Sequence, residues 1–270
     1  MTFAEKKRML LDKASEGYGF EDLVNVVEVL RSDEGCPWDR EQDHKSIRKD
    51  FIEETYEVIE AIDTENNELL REELGDVLLQ VVFHSQIETE RGAFTVEDVA
   101  NDICVKLIHR HPHVFGNVKA DTSEKVLSNW EKIKSEEKER KTVTDKLRAI
   151  PPMLPALMRA EKVGKKASCF DFPDADSVMQ KVYEEIDELK EAMAHNDKDA
   201  SFEEMGDLLL TLTSLCRKLG IESELALSRA TDKFIDRFEG VESAVLSQGK
   251  DISEFSLEQL DEIWNKNKKK

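Results

Sequence analysis

The sequence predicts an all-α protein built as two tandem copies of one helical unit, and three observations carry this. Apolar residues recur at helical spacing, strand-like alternation is nearly absent, and only 6 prolines and 11 glycines interrupt 270 residues. The third is an internal repeat. FIEETYEVIEAI (51–62) aligns with VYEEIDELKEAM (182–193), and EELGDVLLQVV (72–82) with EEMGDLLLTLT (203–213), both at an offset of 131 residues. KLIHR (106–110) matches KFIDR (233–237) at an offset of 127, a change that falls in a loop, where insertions are tolerated.

Residues 1–18 (MTFAEKKRMLLDKASEGY) form an N-terminal extension, charged throughout and without the long apolar core of a signal peptide. The first copy spans 19–118. Phe51, Thr55, Val58 or Ile59, and Ile62 mark one face of its first helix, TENNE (64–68) is turn-forming, and Leu74, Val77, Leu78, Val81 and Val82 mark its second helix. Residues 119–175 form a connector. It holds a charged helical stretch, SEKVLSNWEKIKSEEKERK, and a proline-rich break, AIPPMLPAL (149–157), the expected boundary. The second copy spans 176–270 and ends on KNKKK, a basic run read as a solvated tail.

Composition narrows the partners. A net charge of −20 and a pI near 4.8 argue against a surface for nucleic-acid backbones. An acidic chain that binds phosphates needs a metal ion or a local cationic cluster. No apolar run approaches the roughly 20 residues of a membrane helix, so no membrane partner is expected. Cys36, Cys104, Cys169 and Cys216 lie far apart without a CxxC pair, which speaks against structural zinc and fits a reducing cytoplasm.

The chemistry lies in the repeated acids. The first copy carries Glu53, Glu54 and Glu57, then Glu73 and Asp76; the second carries Glu184, Glu185 and Glu188, then Glu204 and Asp207. Residues three apart share a helix face, and a short connection makes the two helices antiparallel neighbours, so four carboxylates converge across each pair. Like charges held together are destabilising, more so when partly buried. Either the group stays solvated or a cation sits there, and hard oxygen ligands select a hard divalent ion, Mg²⁺ first.

One EExxE alone reads as a wet helix face. Ser201-x-x-Glu204 also fits a capping box, yet the residue matching Ser201 is Leu70, which cannot cap, while Glu73 persists. Gly75 and Gly206 sit inside helices, where glycine costs about 0.8–1.0 kcal/mol relative to alanine. Their recurrence predicts a close approach by a neighbouring helix or a ligand. Lys106 and Arg110, like Lys233 and Arg237, stand four apart and face one way, as phosphate clamps would.

GCPWDREQ (35–42), the EExxE and ExxD pairs, and RHPHVFG (110–116) together resemble MazG, a bacterial nucleoside triphosphate pyrophosphohydrolase family, over residues 19–265. The resemblance implies an all-α NTP pyrophosphatase fold with a four-helix-bundle-like core completed by dimerisation. It implies a homodimer and Mg²⁺-dependent hydrolysis of NTPs or dNTPs to NMP and pyrophosphate, with Mn²⁺ as a substitute ion. A house-cleaning role, or one in nucleotide-level control, goes with it. The implied metal ligands are Glu185, Glu188, Glu204 and Asp207, with Glu54, Glu57, Glu73 and Asp76 as first-copy counterparts. Glu184 joins the second-copy ligands in the implied catalytic set. Glu184 and Glu203 fall in the nucleotide site beside them, as Glu53 does in the first copy. Implied nucleotide contacts are Lys134, Lys181, Lys233, Arg237 and Trp264, with Lys106 and Arg110 in the first copy.

Trp264 could instead pack on the last helix. A family lysine expected just before EEMGD has no counterpart in register, Lys198 being out of step. The second copy has Lys181 where the first has Asp50, which favours the C-terminal site; the first copy's intact acids keep it a candidate. The alternative function is a nucleotide-binding regulatory or scaffold protein with one or both sites non-catalytic. His109, His111 and His113 read as a solvated or capping loop, Glu41-x-x-His44 as a lone ExxH, and Trp38 as a packed anchor.

Overall fold

The computed structural model describes residues 1–137 and 142–267; residues 138–141 of the predicted charged helix and 268–270 of the basic tail lie outside them. Every regular element among the described residues is helical. The chain divides into two compact units, Met1–Lys134 and Ser135–Lys270.

The first unit opens with α1 (Phe3–Asp12), capped by Thr2. Its hydroxyl accepts from the Glu5 N–H, and the Glu5 carboxylate accepts from the Thr2 N–H. The N-terminal extension is thus an ordered helix. Lys6–Glu28 and a 2.6 Å Lys13–Asp22 pair fasten it to α2 (Phe20–Arg31), and within the extension the Tyr18 hydroxyl donates to the Leu10 carbonyl.

Arg31, in the last turn of α2, organises the next stretch of chain. Its guanidinium donates in a fork to Glu90 at 2.9 and 2.8 Å and to the Asp39 and Gln42 carbonyls at 2.6 and 3.1 Å. It also lies 5.0 Å over the Phe83 ring. Gly35 folds the chain back so closely that a Cβ there would collide with the Val29 and Leu30 carbonyls. Short α3 (Pro37–Glu41) comes next, with proline at its first position.

Then come α4 (Arg48–Asp63) and α5 (Asn67–Arg91), which pack as a hairpin, and α6 (Val96–Arg110), α7 (Pro112–Phe115) and α8 (Ser123–Glu137). Val27, Ile47, Val82, Phe83, Ile87 and Val96 form one buried core between α2, α5 and α6.

The second unit contains α9 (Val143–Arg148), α10 (Ala156–Lys166), α11 (Ala175–Ala194), α12 (Lys198–Lys218), α13 (Ser223–Leu246) and α14 (Leu257–Asn267). Pairing α11 with α12 repeats α4 with α5, and α10 packs on α12 as α2 packs on α5. The repeat reaches the turn itself. Glu65 and Asn196 both adopt a left-handed φ of 53°, and the next residues, Asn66 and Asp197, both cap the following helix through their side chains. Val178, Val182, Ala192, Val241 and Val245 are buried. Arg217 (2.8 and 2.5 Å) and Lys218 (2.9 Å) clamp Asp171, and the Arg217 bonds hold its carboxyl well below the usual range.

The predicted apolar face of α4 is only partly used. Phe51 and Val58 are half-buried, whereas Thr55, Ile59 and Ile62 are exposed. Leu74 and Leu78 on α5, Ile103 and Leu107 on α6, and Leu209, Phe234 and Ile235 in the second unit are exposed as well. Each hairpin covers one side of its helices and leaves an apolar surface on the other.

Candidate active sites

The two hairpins bring the acidic motifs together as the spacing predicts. Carboxylate oxygens of Glu54 and Glu57 on α4 and Glu73 on α5 lie within 4.8 Å of one another, and so do those of Glu185 and Glu188 on α11 and Glu204 on α12. The expected fourth acids differ. Asp76 is half-buried and close enough for its charge to act on Glu54 and Glu73, whereas Asp207 is exposed and outside the tight group. Glu53, Glu184 and Glu203 are exposed beside the clusters.

The first cluster is electrostatically uncompensated. Burial, then repulsion from Asp76 and Glu57, raises the Glu54 carboxyl above its ordinary value; burial and Glu57 do the same to the buried Glu73. In the second cluster Lys181 supplies the missing charge. Its ammonium lies 2.6 Å from Glu184, 3.0 Å from Glu185 and 4.0 Å from Glu188, and those bonds, Glu184 first, raise its pKa. Partial desolvation still lifts Glu188, with Lys181 opposing. An open cavity of about 290 Å³ beside Glu188 and Glu204 is bordered by His195 and Asp197. Both acid sets fit a hard divalent ion: clustered oxygen donors, without nitrogen or sulfur ligands in either group.

As the comparison with Leu70 argues, Ser201 is no N-cap: Asp197 caps α12, and the Ser201 hydroxyl donates to the Asp197 carbonyl at 2.6 Å, so Glu204 is free of the capping role. Other expectations are corrected. At Gly75 and Gly206 a Cβ would meet nothing within 4 Å, so no element of the described chain makes the close approach. Trp38 is 61% exposed and is not a packed anchor. Arg110 is buried with its guanidinium 5.3 Å over the Trp130 ring, while Lys106 is exposed, so the two are not a matched outward clamp.

The remaining candidates are placed as follows. Lys233 is exposed and Arg237 half-buried on α13. Trp264, half-buried on α14, packs against Phe234 at 5.1 Å, which is the helix-packing alternative. Lys134 on α8 lies 3.8 Å from Glu131, and Lys198 is the exposed first residue of α12. His111 Nδ1 bonds the Leu107 carbonyl at 2.6 Å at the end of α6, a capping role. His44 meets His84 (2.7 Å) and Glu88 (2.5 Å) rather than Glu41. The side-chain partners Glu90 of Arg31 and His84 of His44 lie 40 or more residues away and carry no local signal.

An all-α tandem repeat with a tri-carboxylate group on each helix hairpin is an arrangement that fits metal-dependent phosphate chemistry, and comparison with known proteins gives the family. The MazG nucleotide pyrophosphohydrolase domain matches residues 42–115 and again 174–241. The chain is 47% identical over 254 residues to the Thermotoga maritima nucleoside triphosphate pyrophosphohydrolase/pyrophosphatase MazG, covering 93% of this chain and 96% of that protein. It is 44% identical over 252 residues to the Escherichia coli K12 nucleoside triphosphate pyrophosphohydrolase, covering 92% and 96%. Against the uncharacterised protein YabN of Bacillus subtilis it is 40% identical over 255 residues, 92% of this chain and 51% of that one. The chain belongs to the MazG family, and its two units each hold one copy of the family's hydrolase domain.

Proposed function

We propose that the chain hydrolyses nucleoside triphosphates to the monophosphate and pyrophosphate, as a Mg²⁺-dependent homodimer acting in the cytoplasm on the nucleotide pool. The carrying observation is the tri-carboxylate group built twice, at equivalent places, in a chain of this family. The named activities of the Thermotoga and Escherichia relatives support the same substrate class. The exposed apolar faces of the hairpins support the dimer.

In this reading Glu185, Glu188 and Glu204, with Asp207 one turn on, would hold the ion, which would neutralise phosphate charge and lower the pKa of a water. Lys181 leaves its carboxylate partners for the triphosphate, and Lys233 and Arg237 hold the departing end. A cluster glutamate takes the proton of the attacking water. The water oxygen bonds to the α-phosphorus, the α–β bridging bond breaks, and pyrophosphate leaves with the electron pair. Lys181 makes the C-terminal cluster the principal catalytic site; the first cluster, with Glu53, Glu54, Glu57, Glu73 and Asp76, is a second metal–nucleotide site.

Incubation with an NTP and Mg²⁺, with product separation, tests the claim. AMP and pyrophosphate from ATP are expected; ADP and orthophosphate would sink it. Glu185→Ala should remove most turnover without unfolding the chain. Full retention of activity would move the chemistry to Glu54 and Glu57.

A further inference from the structure

We infer that each helix hairpin is shut at its open end by a side-chain clasp, and that the clasp of the first unit, Glu88–His44–His84, is a proton-operated latch on the first carboxylate cluster. The clasp of the second unit does not respond to protons. The link to the cluster rests on the proposal that those acids hold a cation.

The turn at Glu65 and Asn66 joins α4 to α5 at one end of the hairpin. His44, four residues before α4 begins, closes the other end. Its Nε2 lies 2.5 Å from Glu88 and its Nδ1 2.7 Å from His84 Nδ1, with the two rings stacked at 5.0 Å. Ile47, three residues on, is buried in the core, so the clasp and that contact together set how α4 leaves the loop. His84 stands about 12 Å along α5 from Asp76. The three are therefore positioning residues, acting on the cluster through the pose of α4.

The second unit fastens the same place by other means. Asp171, four residues before α11 begins, is gripped by Arg217 and Lys218 in the last turn of α12. At the repeat offset of 131, His44, His84 and Glu88 become Ala175, Leu215 and Leu219, so neither clasp is a copy of the other. Unrelated side chains tie the same two segments in both units.

Proton counting separates the two clasps. The Glu88 carboxylate only accepts, so His44 Nε2 carries a proton. One proton fits between two nitrogens 2.7 Å apart. The histidine pair can be neutral or singly charged with both bonds intact. A second charge sets two N–H groups face to face and breaks the His44–His84 bond. Burial, then the charge on His44, lowers the His84 pKa, and the bond from His44 lowers that of Glu88. Two other charged groups face the triad. Arg91 lies 2.8 Å from Glu88, and Asp43 in the entry loop is already held by the Lys45 and Ser46 N–H groups. From α4 comes the uncharged ring of Phe51, 6.0 Å from His84. With His84 depressed, its contribution is fully present above the ordinary histidine range and is lost as pH falls through the lowered value. Asp171, held far below the carboxylate range, has no step there.

Amide hydrogen exchange on the full chain, read by mass spectrometry and corrected for the intrinsic rate, compares residues 42–51 with 168–178 at about pH 7.5 and about pH 5. Protection of 42–51 should fall about tenfold or more on acidification, and that of 168–178 should hold. His84→Asn puts a non-titrating carboxamide in the place of Nδ1 and should keep 42–51 protected at both values. Unchanged protection in the wild type, or an equal loss in His84→Asn, would overturn the latch. If His84→Asn does not fold, imidazole carbon NMR on the wild type decides. Loss of protection without an imidazole titrating at the same midpoint then overturns it. Mg²⁺ calorimetry in a Glu185→Gln, Glu204→Gln background reads the first cluster. The drop in affinity on acidification should be about threefold or more smaller in His84→Asn than with His84 present. Equal drops would overturn the hold of the clasp on the cluster. Absence of Mg²⁺ binding at both pH values removes the cation reading of these acids and the link with it, while exchange still decides the clasp.

Discussion

Replacing Arg31 with methionine should destabilise the first unit and leave the second untouched. The Arg31 side chain is 4% exposed and makes four hydrogen bonds, two of them in a fork to Glu90, besides lying over Phe83. Breaking a buried ion pair by removing one partner costs about 3–5 kcal/mol. Here Glu90 is 37% exposed and can rehydrate, and methionine keeps much of the packing on Phe83, which places the cost near the lower end, about 3 kcal/mol. For a unit of this size each kcal/mol shifts Tm by a few degrees, so its transition should fall by roughly 10 °C. Differential scanning calorimetry on the full chain resolves the two units, and only the first should move, because every Arg31 partner lies within Met1–Lys134. Arg31→Lys, which keeps the charge without the planar fork, should recover less than half of the loss. A shift corresponding to less than about 1 kcal/mol, or equal shifts in both transitions, would refute the reasoning.

The clusters give three further outcomes. Glu54 and Glu73 have raised carboxyl pKa values, so the folded first unit favours their protonated forms. Without divalent ions the contribution of these two groups to its stability should be fully present below the ordinary carboxylate range and be lost as pH rises through the raised values, opposite in sign to that of the lowered Asp22, Glu88 and Glu90. Urea midpoints measured across that range in EDTA, with Glu73→Gln as the control, check this; a decline that persists undiminished in Glu73→Gln would assign it elsewhere. Adding Mg²⁺ at neutral pH should raise the wild-type midpoint and move that of Glu73→Gln less, by the usual linkage of binding to stability. Lys181→Met should tighten Mg²⁺ binding by the nucleotide-free chain several-fold, because the ammonium occupies the space between Glu184, Glu185 and Glu188, and should lower turnover. Calorimetric titration in a Glu54→Gln, Glu73→Gln background reads the second cluster alone, and weaker binding would show Lys181 to be a support for the ion instead.

Whatever repeated or obeyed helix periodicity was legible in the sequence. Glu54, Glu57 and Glu73 converge, as do Glu185, Glu188 and Glu204, because a three-residue spacing and a short turn fix which faces meet. The caps were legible in principle: Asn66 and Asp197 stand just before the periodic runs and share the offset of 131, yet the capping-box spacing of Ser201 and Glu204 competes with them. Trp38 and Arg110 go the other way round from expectation, the tryptophan exposed and the arginine buried. Burial of a single residue depends on tertiary neighbours, here Gly35 folding the chain back onto the Val29 and Leu30 carbonyls and Trp130 offering an aromatic face. Glycine inside a helix suggests close packing, but an empty Cβ position marks only where space is kept, not what fills it.

The two copies share their frame and differ in what faces the acids. Left-handed Glu65 and Asn196, the caps beside them and the three convergent glutamates are equivalent features of the repeat. The residues further along the same helices are not: Asp50 against Lys181, Gln80 against Thr211, Phe83 against Ser214. A lysine at that place cancels part of the second cluster's charge, whereas Asp50 offers the first no such counter-charge. The same carboxylate geometry is therefore held in two electrostatic states. The first cluster has raised carboxyl pKa values, which protonation or, under the proposed function, a cation from solution would relieve. The second carries its own counter-charge, which under the proposed function would be displaced when an ion and a triphosphate enter together, coupling metal binding to substrate binding. The two copies thus share a scaffold and differ in the charge set against it at one position, 50 in the first copy and 181 in the second.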